Sequence, residues 1–301
     1  MRVLVTGAEG FVGKPLCTSL QRVGHHVIPA SVRTRSAFEA LQVGAKSTPD
    51  TVIHLAARVH VMKDRVADRL AAFRAANVDS TLQLAAEAAA AGVGRFVFIS
   101  SVKVNGESTA PGYSFSESDM AAPADAYAVS KWEAEQGLHQ IAISSGMEVV
   151  IVRPPLVYGA GVKANFASLM RAVQRGMPFP LGSVHNLRSL IGLDNLVDFI
   201  ITCVSSPPAA NHTFLVSDGA DISTLDLILA MGRAARCPAR VFPVPLGILS
   251  MFALLPGQRS VVDRLCSNLQ VDISKAREIL GWVPPFTLDE GLRRAFEGCG
   301  P

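Results

Sequence analysis

The stretch from residue 2 to residue 13 constrains the chain more than any other. Arg2-Val3-Leu4-Val5-Thr6 is a continuous apolar strand, and Gly7-Ala8-Glu9-Gly10-Phe11-Val12-Gly13 follows directly. Three glycines at spacing three between a strand and a helix have separate tasks. Gly7 permits a tight turn. Gly10 removes the Cβ that would keep a pyrophosphate off the backbone. Gly13 lets the helix pack closely on the strand. Phe11 and Val12 lead into that helix, whose free N–H groups and dipole favour an anion. The spacing differs from the commoner G-x-G-x-x-G. Its weight comes from its place directly after a strand.

The same alternation continues along the chain. Residues 12–23 read as a helix ending at Gly24, and His26 to Ala30 as a strand. Thr51 to Ala56 is a buried strand, and residues 68–91 form a long alanine-rich helix stopped by Gly92 and Gly94. Arg95 to Ser100, a helix over 126–145 and the strand Glu148 to Arg153 follow. Apolar strands alternating with helices predict an α/β fold, a doubly wound parallel sheet covered on both faces. After about residue 160 the rhythm loosens and prolines and glycines become denser. Short helices return at Ser274 to Leu280 and Leu288 to Glu297. The expected division is a dinucleotide-binding domain over residues 1–160 and a smaller, mainly ligand-holding C-terminal lobe over 161–301.

Composition narrows the partners. The net charge is +3, from 28 basic and 25 acidic residues, which is too balanced for a general nucleic-acid binder. The five cysteines (Cys17, Cys203, Cys237, Cys266, Cys299) are odd in number and widely spaced, with no metal-type cluster. They read as reduced thiols of a cytoplasmic protein. The N-terminus carries no signal-peptide h-region. The longest apolar run, Val244 to Leu255, is broken by Pro245, Gly247 and Ser250. A membrane span needs about 20 apolar residues, so this run is expected to be a buried or cleft-lining helix and no membrane contact is expected.

Tyr127 and Lys131 stand four residues apart at the start of the helix over 126–145 and share one face. A phenol and an ammonium there suit proton transfer at a ligand oxygen while hydride moves at carbon. Free tyrosine titrates near pH 10, too high for a base at neutral pH. One cation about 4 Å away at an effective dielectric near 20 supplies roughly 4 kcal/mol, enough to lower it by about 3 units. Lys131, together with the positive ring of an oxidised nicotinamide, is the expected source. Ser100 and Ser101 end the fourth strand, where ligands of such sheets gather. Ser101 is the candidate partner of Tyr127 and Ser100 a supporting hydroxyl; turn-capping serines are the plainer alternative. After the second strand no carboxylate is present to meet a ribose 2′-hydroxyl. Ser31 and Arg33 stand there instead and favour NADP over NAD. Solvated loop arginines at positions 33 and 35 remain the other reading.

Taken together, TGAEGFVG, HLAA at 54–57, Asn77-Val78, ISSVKVNG at 99–106, YAVSK at 127–131, RPPLVYG at 153–159 and DISKAREILGW at 272–282 resemble the extended short-chain dehydrogenase/reductases. Within them the chain is similar to the NAD-dependent epimerase/dehydratase group, which includes UDP-galactose 4-epimerase. The resemblance implies a Rossmann domain, NAD or NADP as cofactor, and Ser101, Tyr127 and Lys131 as catalytic triad. It implies that Asn77 supports the cofactor site and that His54, Leu55, Ala56 and Ala57 line its nicotinamide side. Pro154 and Pro155 would turn the chain over the nicotinamide. Arg188 would grip a nucleotide-sugar diphosphate, with Arg264 as a looser second match and Asn165 as a polar contact. A homodimer built through a bundle that includes the Tyr–Lys helix is implied as well. One departure is the short stretch of about 20 residues before TVIHLAA, where relatives have room for another strand and helix.

Within the group the expected activity is a 4-ketoreductase on a UDP-linked 4-keto-6-deoxy sugar, of the kind used for surface polysaccharides. HLAARVHVM is similar to that subgroup, and Arg33 suits an exchangeable NADPH. The alternative is a UDP-hexose 4-epimerase with retained NAD. A 4,6-dehydratase needs carboxyl groups beside the catalytic serine, where Val102 and Lys103 stand. A non-catalytic NAD(P) sensor is disfavoured because Tyr127 and Lys131 are both present.

Overall fold

The computed structural model describes residues 1–42, 48–59, 68–245, 247 and 265–298. Six parallel strands form its main sheet: β1 (Arg2–Thr6), β2 (His26–Ala30), β3 (Thr51–His54), β4 (Arg95–Ile99), β5 (Glu148–Arg153) and, much later in the chain, the strand Thr213–Leu215. Their spatial order is β2-β1-β3-β4-β5 with Thr213–Leu215 outermost. Val3, Leu4, Val5, Val52, Ile53, Phe96, Val97 and Val150 to Val152 are buried, as expected of strands covered on both faces. The chain leaves β1 for β2 on one side and returns to β3 on the other. The loops after β1 and β3 therefore diverge and open a crevice at the carboxyl ends of the strands.

Helices cover both faces. α1 (Gly13–Arg22) and the later helix Leu193–Ser205 share one core with β1, β5 and residues 269–282. On the opposite face lie α2 (Ser36–Glu39), α4 (Ser80–Ala90) and α5 (Ala126–Ser145). Between β3 and α4 the chain forms α3 (Arg69–Arg74) and a π-helical turn, Ala75–Asp79. A third core belongs to the back lobe. The remaining elements are β6 (Leu156–Tyr158), α6 (Ala164–Gln174), β7 (Pro178–Phe179), β8 (Leu190–Gly192), α7 (Leu193–Ser205), β9 (Thr213–Leu215), α8 (Thr224–Ala234), β10 (Arg240–Val241), α9 (Ser274–Leu280) and α10 (Leu288–Glu297) in chain order, of which α7, β9 and α9 pack with the main sheet and not in the third core.

Two side-chain networks set the position of the candidate site. Arg153, at the end of β5, forms a fully buried ion pair with Glu135 of α5 and donates to Asn105 Oδ1 at 3.0 Å. This pair clamps α5 against the sheet. Tyr158 donates to Asp218 at 2.6 Å, and the same carboxylate accepts from Asn195 and the Gly192 N–H. That network fastens β6 and β8 to α7.

The alternation expected from the sequence is found, with three differences. β3 ends at His54, two residues early, because Leu55 to Arg58 turn into the crevice. The long helix over 68–91 is divided by the π-helical turn, which brings Asn77 inward. Among the described residues β2 is the edge strand with none outside it, and α2 has four residues. Val244 to Leu255 lies almost wholly outside the described residues. No described helix is long and apolar enough to cross a membrane.

Candidate active site

The glycine turn forms the floor of a cleft of about 850 Å³. Gly7 has φ +71°, and a Cβ on it would sit 3.0 Å from the Ala56 nitrogen. Gly10 approaches the Gly7 carbonyl, to which its N–H donates at 2.9 Å. A Cβ on Gly13 would lie 2.1 Å from the Gly7 oxygen, so helix and turn touch as closely as backbones can. No side chain caps α1; in its first turn Lys14 and Leu16 donate to the Gly10 and Val12 carbonyls and Pro15 has no N–H, so what this end offers an anion is the positive end of the helix dipole. Phe11 and Val12 pack against the core behind the turn.

Gly7, Ala8, Glu9 and Gly10 line the cleft on one side, and His54, Leu55, Ala56, Ala57 and Arg58 on another. Pro29 to Arg33 and Ser36 close its far end. Ser31 and Arg33 both reach this wall. Arg35, in the left-handed conformation, turns instead over the Phe38 ring at 5.3 Å. The Ser36 hydroxyl accepts from the Ser31 N–H at 2.9 Å, and the Ser31 hydroxyl accepts from the Thr34 N–H at 3.4 Å. A hydroxyl- and guanidinium-bearing turn with no carboxylate suits a phosphate there.

Ser101 and Tyr127 meet. They come from separate strand–helix units, Ser101 from the loop after β4 and Tyr127 from the first turn of α5, and the Ser101 side chain comes close enough to the phenol to oppose the rise in its pKa. Burial pushes the phenol up to about 12, and Asp125 adds to the rise. Lys131 does not point its ammonium at the phenol. It donates to the Ile99 carbonyl at 2.7 Å and lies 4.3 Å from the centre of the Phe98 ring. Burial brings Lys131 down to about 7, against the pull of Glu135. Burial disfavours the charged form of a lysine in this way. Among the causes of the phenol's shift in the protein alone, Lys131 does not appear; the sequence expectation paired it with the cationic ring of an oxidised nicotinamide.

The neighbouring residues support this pair. The Ser100 hydroxyl is buried with no hydrogen-bond partner within the protein, an orphan that a bound ligand would satisfy. With the glycine cradle, it makes the crevice a fit for a dinucleotide. Asn77 is buried and donates to Ser130 Oγ and the Arg58 carbonyl, both at 3.0 Å, while its oxygen accepts from the Arg58 N–H at 2.7 Å. It thus joins the cleft wall to the Tyr–Lys helix from behind. His54 is buried between the hydroxyls of Thr6 and Thr81, at 2.7 and 3.0 Å, and burial takes it down to about 3, so it is neutral. Pro154 and Pro155 are buried, and the Pro154 carbonyl accepts from the Val102 N–H.

The back-lobe candidates are dispersed. Arg188 is half-buried, pairs through its backbone with Ile222, and donates from Nη1 to the Ser267 carbonyl at 3.1 Å. Asn165 is exposed in the first turn of α6. Neither lines the 850 Å³ cleft. Arg264 lies outside the described residues. Sequence reading missed Ser36, Arg58 and the α3-side wall of Ala72, Ala75 and Ala76. Only Arg58, directly after HLAA, had a local signal; the alanines belong to a run whose inward face tertiary packing decides.

The family model described as "NAD dependent epimerase/dehydratase family" matches residues 3–216. The chain belongs to that family. Its members' nicotinamide chemistry makes it an NAD(P)-dependent enzyme. It is 46% identical to a UDP-glucose 4-epimerase of Vibrio cholerae, over 97% of this chain and 93% of that one. Its fold is that of a UDP-glucuronic acid 4-epimerase from Bacillus cereus in complex with NAD (TM-score 0.78, 21% identity, 99% and 98% of the two chains). It is also that of RMD from Pseudomonas aeruginosa complexed with NADPH (TM-score 0.76, 24% identity, 99% and 98%).

Proposed function

We propose that this epimerase/dehydratase family member carries out oxidoreduction at C4 of a UDP-linked hexose, with 4-epimerisation of the UDP-glucose type as the net reaction. The observation that carries the proposal is the approach of Ser101, at the carboxyl end of β4, to Tyr127, in the first turn of α5. The Vibrio relative supports the substrate. Gly7, Gly10, Gly13 and the α1 N-terminus would hold the pyrophosphate. Leu55, Ala56, Ala57, Asn77, Ser100 and Pro154 would form the nicotinamide end. When bound, the cofactor would supply the hydride chemistry, taking hydride from C4 and returning it there. Tyr127 takes the proton from the sugar 4-hydroxyl and later gives it back, and Ser101 shares that proton's hydrogen bond. Lys131 holds the end of β4 through Ile99 and raises the local positive potential when protonated. In the back lobe, Arg188 and Asn165 would hold the nucleotide end, with Arg264 as a further candidate.

A second reading rests on Ser31 and Arg33. Lacking a carboxylate, that wall favours a 2′-phosphate, and an exchangeable NADPH suits a 4-ketoreductase. Releasing the cofactor from purified protein and assaying UDP-sugars separates the two. Bound NAD with interconversion of UDP-glucose and UDP-galactose supports epimerisation. Oxidation of added NADPH only with a 4-keto sugar nucleotide overturns it in favour of the reductase.

A further inference from the structure

We propose that Lys103 is a positioning residue that ties Ser101 to the helix of Tyr127 and acts on the phenol through Asp125. This rests on the reading above that Tyr127 moves the proton. The Lys103 N–H donates to Ser101 Oγ at 3.2 Å, and its ammonium donates to Asp125 Oδ2 at 2.7 Å and to Glu107 at 2.8 Å. Asp125 is the N-cap of α5, and its other oxygen accepts from the Ala128 N–H at 2.7 Å. One residue therefore touches both Ser101 and the cap two positions before Tyr127. These contacts join two loops that belong to different strand–helix units.

Charge gives the latch a second effect. Asp125 disfavours the phenolate, and the Lys103 ammonium sits on the same carboxylate. A carboxyl side chain at position 103 would add to the unfavourable field, whereas lysine offsets it. The other charged groups around the phenol, among the described residues, are these. Lys131 lies one turn on and is directed at Ile99. Arg58 lies over the Phe73 ring that meets Tyr127 edge-on. Glu107 shares Lys103, and His54 is neutral.

The chain has three tyrosines, so 13Cζ-tyrosine NMR of the NAD⁺ complex follows Tyr127 directly, with Tyr127→Phe assigning its signal. The variants are Lys103→Met, Lys103→Arg, Asp125→Asn and the Lys103→Met/Asp125→Asn double. Asparagine caps a helix as well as aspartate does, so Asp125→Asn removes charge and keeps the cap. Lys103→Met should raise the Tyr127 titration by about half a pH unit, and kcat/KM at pH 7 should fall about threefold. The rising limb of the pH profile should move with it. Lys103→Arg should restore both, Asp125→Asn should lower the titration, and Lys103→Met should add little in that background. An unmoved Tyr127 titration in Lys103→Met overturns the proposal, as does an equal shift without the Asp125 charge. The NMR arm needs no sugar substrate. If Tyr127 titrates as expected while no UDP-sugar is converted, the activity reading fails and the positioning role stands.

Discussion

In the proposed reaction Tyr127 moves the proton, and burial is the largest influence on the titration of both Tyr127 and Lys131. The spacing of four residues places both on one helical face, which the sequence states. It does not state that Lys131 ends near neutrality against Ile99 and Phe98, nor that Tyr127 is driven up to about 12 in the protein alone. Replacing Tyr127 by Phe should lower kcat by about 10²–10⁴-fold, with cofactor affinity unchanged in a fluorescence titration; near-normal turnover would remove Tyr127 from the mechanism. His54 offers a stability test. Its value falls from 6.5 to about 3 on folding, so the unfolded chain binds more protons between those limits. Stability from this residue is complete above pH 6.5 and lost as pH falls towards 3. Between pH 6.5 and 4.5 the wild type should lose about 2–3 kcal/mol more than His54→Asn in urea unfolding. Equal slopes for the two proteins would contradict the buried neutral imidazole.

At the scale of elements, the most informative difference is the break in the helix over 68–91. Alanine propensity favours one continuous helix, and nothing in the local sequence signals a π-helical turn. The turn lets Asn77 reach Ser130 and both backbone groups of Arg58; tertiary hydrogen bonding offsets the irregular backbone. Asn77→Ala should cost about 1–3 kcal/mol by leaving these buried groups unpaired. It should also weaken NAD(P)⁺ binding, since Arg58 lines the cleft; unchanged affinity would separate Asn77 from the site. Clamping of α5 to the sheet gives a larger expectation. Glu135→Ala strands a buried guanidinium, and loss of one partner of such a pair costs about 3–5 kcal/mol. A chemical-denaturation midpoint close to wild type would show that Arg153 finds another partner.

At the scale of the molecule, the crevice exists because the chain reverses direction across the sheet between β1 and β3, while the residues of the back lobe form a separate core. Two lobes imply two separable binding contributions. A ligand present at 100 times its Kd should stabilise the protein by about 2.7 kcal/mol, visible as a rise in Tm with NAD(P)⁺. UDP should add its own rise. Arg188→Ala should reduce the UDP effect and leave that of the dinucleotide; a loss of both would place Arg188 in the fold rather than in ligand binding. The sequence alone determined the strand–glycine–helix turn, the parallel alternation and the Tyr127–Lys131 face. Each is set by neighbours within a few positions, through backbone freedom, hydrophobic period and helical pitch. Only the tertiary structure decided that Ser101 meets Tyr127, that Lys103 and Asp125 join their loops, that Arg33 rather than Arg35 faces the cleft, and that burial brings the Lys131 pKa down to about 7. Those outcomes depend on contacts between distant segments and on how much water burial removes, neither of which is encoded in local spacing.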